Sequence, residues 1–143
     1  MKIKPLLYSN IQTTHTSYAV NFEIENNITF IKGDSGTGKS AVFSFIEELT
    51  TEKKNIKCYN YLDAKANYKV AIKRSKDKLF VIDNADLLLD DKMREYIAHD
   101  KNNQYIIIGR NPKGLLLSYD EIYELKSSTK GEITSFSLEQ MKL

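Results

Sequence analysis

The sequence predicts an α/β fold: a mostly parallel, five-stranded core sheet preceded by an antiparallel hairpin strand and followed by a C-terminal hairpin. Three observations lead there. Ile28-Thr29-Phe30-Ile31 is a short apolar run that enters Gly33-Asp34-Ser35-Gly36-Thr37-Gly38-Lys39-Ser40, and Val42, Phe45, Ile46 and Leu49 then recur at i, i+3, i+4, i+7, the apolar stripe of a helix lying on a sheet. Leu79-Phe80-Val81-Ile82 and Tyr105-Ile106-Ile107-Ile108 are continuous apolar runs of the kind found in parallel strands buried on both faces. Finally, 143 residues suffice for one such sheet and little else, so residues 1–143 are read as a single domain.

Residues 1–17 are weakly patterned. Tyr18, Val20, Phe22 and Ile24 alternate with Ala19, Asn21 and Glu23, which predicts a half-buried strand. Glu25-Asn26-Asn27 makes a turn, and the two strands on either side of it form the hairpin ahead of the glycine-rich segment. After the helix over 39–50 come a polar run and a second core strand over 56–61. Residues 62–76 fit either a helix or an edge strand. Helix is preferred because it aligns Lys65, Lys69 and Lys73 at i, i+4, i+8.

The strand over 79–82 closes on Asp83. Asp90 or Asp91 caps a short helix that turns Met93 and Ile97 inward and ends near His99. The strand over 105–108 ends in Gly109-Arg110-Asn111-Pro112, and residues 121–125 and 133–138 supply a fifth core strand and its hairpin partner around Thr129-Lys130-Gly131.

Composition excludes several chemistries. A net charge of +2 by itself implies neither nucleic acid nor a membrane surface. No apolar run approaches ~20 residues and the N-terminus has no signal-peptide core, so a cytoplasmic protein without membrane insertion is expected. Cys58, the one cysteine, admits no internal disulfide and reads as a strand residue. His15 and His99 lack the spacing of a zinc pair.

The segment from Gly33 to Ser40 has the G-x-x-x-x-G-K-[ST] pattern of a phosphate-binding loop, with strand before it and helix after it. Its three glycines, Gly33, Gly36 and Gly38, let the backbone curl tightly, and the N–H groups of Gly33, Asp34, Ser35, Gly36, Thr37, Gly38 and Lys39 can converge on anionic oxygens. Ser40 and Ala41, in the first turn of the helix, add free N–H groups at its positive dipole end. Lys39 can reach β- and γ-phosphates, and the Ser40 hydroxyl suits Mg²⁺. Asp83, at the C-terminal end of a central strand where open α/β sheets bind ligands, is the second expected ligand of that ion.

The order of these parts resembles the P-loop NTPases, folded as a three-layer sandwich. More narrowly, it resembles the branch with an additional strand between the phosphate-loop and Walker B strands, which includes AAA+, RecA-like and ABC-type ATPases. The likeness covers about residues 18–126, and only GDSGTGKS is highly specific. It implies catalytic roles for Lys39 and Asp83, a γ-phosphate sensor at Arg110 or Asn111, and a water-directing residue after the aspartate. That residue is Asn84 here, where the branch typically has glutamate. Asparagine can orient a water but cannot take its proton, and Asp86 could substitute only if the chain curls back. The chain has no LSGGQ-like signature, no room for a helical lid and no N-K-x-D motif, which leaves adenine as the base by elimination.

The expected function is therefore an ATP·Mg²⁺-binding protein, a slow or partner-dependent ATPase acting as a switch or motor module in a larger assembly. A homo-oligomer or protein partner would complete the site, with Arg74, Arg94 or Arg110 available as an arginine finger. One alternative is a non-hydrolysing nucleotide-binding regulatory protein; another is a small-molecule kinase. Lys65, Lys69, Lys73 and Arg74 offer a possible nucleic-acid face.

Overall fold

The apolar runs fold into the centre of a single sheet. In the computed structural model, which describes residues 3–33, 38–65 and 67–141, the strands are β1 (Asn10–His15), β2 (Tyr18–Glu23), β3 (Ile28–Lys32), β4 (Ile56–Tyr59), β5 (Leu79–Ile82), β6 (Gln104–Gly109), β7 (Ile122–Lys130) and β8 (Ile133–Gln140). The α-helices are α1 (Lys39–Leu49), α2 (Tyr68–Arg74), α3 (Ala85–Leu88) and α4 (Asp91–His99), with single 3₁₀ turns at Tyr61–Asp63 and Tyr119–Glu121. All eight strands join one sheet in the order β1-β2-β8-β7-β3-β6-β5-β4.

The fold is α/β, but the sheet differs from the one expected. It is eight-stranded and mixed, rather than five-stranded and mostly parallel with hairpins attached. β4, β5, β6, β3 and β7 lie side by side and pair parallel, while β7–β8 and β1–β2 pair antiparallel and β2 joins β8 in parallel. The hairpin expected ahead of the loop does not form. β2 turns back on β1, a strand hidden in a polar stretch whose buried Ile11 is its main apolar contribution. β3 instead takes β6 and β7 as neighbours, and its Thr29, Phe30 and Ile31 are all buried, as in an interior strand covered on both faces.

Side-chain alternation divides the core into two layers. Ile31, Leu79, Val81, Ile106 and Ile108 face α1 through Val42, Phe43 and Ile46. Phe30, Phe80, Ile82, Tyr105 and Ile107 face α2, α3 and α4 through Ile72, Ala85, Met93 and Ile97. Each fully buried isoleucine or phenylalanine contributes roughly 1.5–3 kcal/mol relative to exposure. Asp90 is the cap of α4, its Oδ1 accepting from Met93 N–H at 2.8 Å, and His99 ends that helix with Nδ1 2.9 Å from the Glu95 carbonyl oxygen.

The helix preferred over 62–76 is shorter than expected. Asn60 and Asp63 close a capping box around the 3₁₀ turn, and α2 starts only at Tyr68. Lys65 lies outside it, so the three-lysine stripe does not exist as one helical face. Among the described residues no helix is long and apolar enough to cross a membrane.

Candidate functional site

The carboxyl ends of β3, β5, β6 and β7 converge on one edge of the sheet, and α1 begins there. β3 delivers Gly33; Asp34, Ser35, Gly36 and Thr37 lie outside the described residues. Gly38 re-enters with φ +92°, a left-handed conformation that glycine adopts without steric cost. Its carbonyl accepts from Val42 N–H at 2.9 Å and so opens α1. A Cβ at Gly38 would stand 2.8 Å from the Phe136 ring, so β8 presses directly on the loop's last glycine. Lys39 Nζ donates to the Gly33 carbonyl. Ser40 is exposed and Ala41 half-buried in the first turn of α1.

Asp83 ends β5, which is separated from β3 by β6 alone. It is 8% exposed. Its N–H donates to the Tyr59 carbonyl at 2.8 Å, and its Oδ1 accepts from Asn84 N–H at 2.8 Å. Burial pushes the carboxyl above its ordinary value, against the opposing pull of the Asn84 N–H and the Lys39 ammonium. The Lys39 charge thus acts on Asp83, although the two are far apart in sequence. A buried carboxylate that is costly to ionise is one that gains from a cation. Ser40 and Asp83 are hard oxygen donors, the type Mg²⁺ takes from a protein when phosphates complete its shell.

Asn84 has φ 53°, and its carbonyl accepts from Leu87 and Leu88 N–H at 2.9 and 3.0 Å to start α3. Asparagine tolerates this left-handed geometry better than glutamate does. The left-handed backbone thus favours asparagine over glutamate at this position, a preference the sequence did not reveal.

Asp86 is engaged at the tip of β6. Its Oδ2 accepts from Arg110 N–H at 2.8 Å and its Oδ1 from Asn111 N–H at 3.0 Å, across the tip of β6. The Arg94 side chain, 8% exposed, lies 3.6 Å from Asp86 Oδ1. Arg94 Nη1 donates to the Asn111 and Lys113 carbonyls at 2.6 and 2.8 Å. Arg94 is thus buried and engaged, which removes it as an arginine finger; Arg74 and Arg110 remain exposed. Sequence reasoning missed this cluster, since no spacing rule connects Asp86, Arg94 and residues 110–113.

β7 pairs with β3 through Ile122, Tyr123 and Glu124 and then runs on past the end of β3, still paired with β8. A pocket of about 330 Å³ opens there between Lys32, Gly33, Arg110, Glu124, Lys126 and Met141. It brings the tip of β6 beside the loop's first glycine. On α2, Lys69 is ion-paired with Asp90, and Lys73 sits 5.7 Å over the Tyr96 ring. Both lysines of the expected basic face that lie on α2 are therefore committed within the chain.

No protein-family model matches this chain, and no curated protein matches it as a relative.

Proposed function

We propose that this protein is a P-loop nucleotide-binding protein of the additional-strand type that holds ATP·Mg²⁺ and hydrolyses it slowly, or only with a partner. The observation that carries the reading is the run of parallel strands β7-β3-β6-β5-β4, in which the strand feeding the glycine-rich segment and the strand ending in Asp83 flank one polar-tipped strand. Ligands of open α/β sheets bind at this edge, and electrostatic coupling between Lys39 and Asp83 supports one shared site. In this reading the backbone of Gly33–Lys39 with Ser40 and Ala41 cradles the phosphates. Lys39 neutralises the β- and γ-oxygens, Ser40 and Asp83 hold the magnesium ion, and Arg110 senses the γ-phosphate.

Asn84 favours a second reading, binding without turnover, because no carboxylate follows Asp83 directly to take the proton of an attacking water. The small-molecule kinase is a weaker alternative: the 330 Å³ pocket could take an acceptor. A protein partner or second copy would complete the site in the switch or motor role.

The deciding experiment measures ATP affinity with Mg²⁺, and phosphate release over hours, for wild type and Lys39→Ala. Loss of one charge-assisted phosphate contact predicts a fall in affinity of about tenfold or more. Absence of nucleotide binding by wild type would refute the proposal. Binding without release would select the regulatory reading.

A further inference from the structure

We propose that Asp86 is a positioning residue that sets how strongly the site distinguishes a nucleoside triphosphate from a diphosphate; this deepens the nucleotide reading and rests on it. The Asp86 carboxylate spans two consecutive N–H groups, Arg110 at 2.8 Å and Asn111 at 3.0 Å. Both groups are donors, so both oxygens must accept. Asparagine offers one acceptor and one donor and would set N–H against N–H at one of the two places. Arg94, 3.6 Å from Asp86 Oδ1, holds the same loop through the Asn111 and Lys113 carbonyls. Gly109 leaves no slack, since a Cβ there would lie 3.2 Å from Ala85 Cβ and 3.3 Å from Asp86 Oδ2.

The clamp joins two elements with different duties. α3 starts at Asn84, immediately after Asp83, while Arg110 shares a pocket with Gly33. The clamp therefore ties the segment that follows β5 to the tip of β6. Arg110 approaches the loop from the side of its first glycine, and its backbone is fixed by Asp86 rather than by strand pairing alone.

The test is calorimetric titration of wild type and Asp86→Asn with ATP and with ADP, each with Mg²⁺. The wild type should prefer ATP. In Asp86→Asn that preference should shrink by about tenfold, the worth of one misplaced charged hydrogen bond, while ADP affinity stays within about twofold. A merely structural loss lowers both affinities together, and that result would overturn the proposal. Equal affinity of wild type for ATP and ADP would also overturn it while leaving nucleotide binding standing. No binding of either nucleotide would remove the reading beneath it. Should the variant fail to fold, amide hydrogen exchange on wild type decides: protection at Arg110 and Asn111 must rise with the non-hydrolysable triphosphate AMP-PNP more than with ADP, and equal protection refutes the clamp's role.

Discussion

The two ends of the parallel strands differ in how their buried polar groups are held. At the amino-terminal end most buried polar side chains are hydrogen-bonded, Asn26 Oδ1 and Thr29 Oγ1 being the exceptions among the described residues. Gln104 Oε1 accepts from Leu7 and Tyr8 N–H, and its Nε2 donates to the Tyr8 carbonyl. Asn27 ties Leu6 N–H to the Asn103 carbonyl. Asn103 donates to Ser75 and Asp100, and Tyr105 donates to Asp100 at 2.6 Å. At the carboxyl end the backbone turns left-handed at Gly38 and Asn84, and a buried carboxyl is raised by desolvation. The amino end engages most of its polar side chains in internal hydrogen bonds; the carboxyl end, beside the Asp86 and Arg94 cluster, holds one buried carboxyl that desolvation raises above its ordinary value. Fully satisfied buried networks rigidify a fold, whereas perturbed titratable groups gather where chemistry is done.

Gln104→Ala should test the matched end most severely. It removes three hydrogen bonds and strands the Leu7 and Tyr8 N–H groups, which predicts a loss of about 3 kcal/mol in urea unfolding. Nucleotide affinity of the remaining folded protein should be unchanged. A comparable loss of affinity would show that the two ends are not separable.

At the open end, Asn84→Glu should cost about 1 kcal/mol, since it forces a longer side chain into a left-handed residue, while Asn84→Gly should be close to neutral. Equal unfolding midpoints for wild type and Asn84→Glu would remove the backbone explanation for asparagine at this position.

Asp83→Asn should do the reverse of Gln104→Ala: a higher Tm without ligand and weaker Mg²⁺-dependent binding. The folded carboxyl holds its proton more tightly than the unfolded chain, whose value is near 3.8. Its favourable contribution is therefore complete below that value and disappears as pH rises through the raised folded value. Ionised Asp83 is a cost at neutral pH. The Tm advantage of the variant should be present at pH 7 and vanish toward pH 3; an advantage independent of pH would contradict this origin. The smallest effect belongs to Cys58, whose thiol is pushed up to about 12 by burial and, secondarily, by Glu47. Thiol reagents at pH 8 should modify it at least about 100-fold more slowly in the folded than in the unfolded protein.

What could be read in the sequence followed from local rules. Periodicity located α1 and the interior strands, the cap of α4 was visible as Asp90 or Asp91, and the glycine spacing marked the loop. What could not be read was long-range. The polar residues of β1 gave no strand signal, because an edge strand need bury only one side chain such as Ile11. The partner of β2 was misassigned because a turn nearby in sequence looked cheaper than pairing with β8, although the buried Val20 aligns with Phe136 in the sheet. Asp86 read only as a carboxylate that could take the place of glutamate if the chain curled back. Its role depends on a loop more than twenty residues downstream, reached through backbone N–H groups that carry no sequence signature.

The position of β3 has a consequence for how the chain is made. Its neighbours in the sheet are β6 and β7, and Gly38 packs against Phe136, so the glycine-rich segment leaves the ribosome long before anything that shapes it. Synthesis proceeds at about 5–20 residues per second, several seconds in which an apolar strand and its loop have no sheet to join. The site is encoded early and assembled last. A nascent chain stalled before Gln104 should therefore hold no nucleotide, and one released after Phe136 should acquire that ability in a single late step.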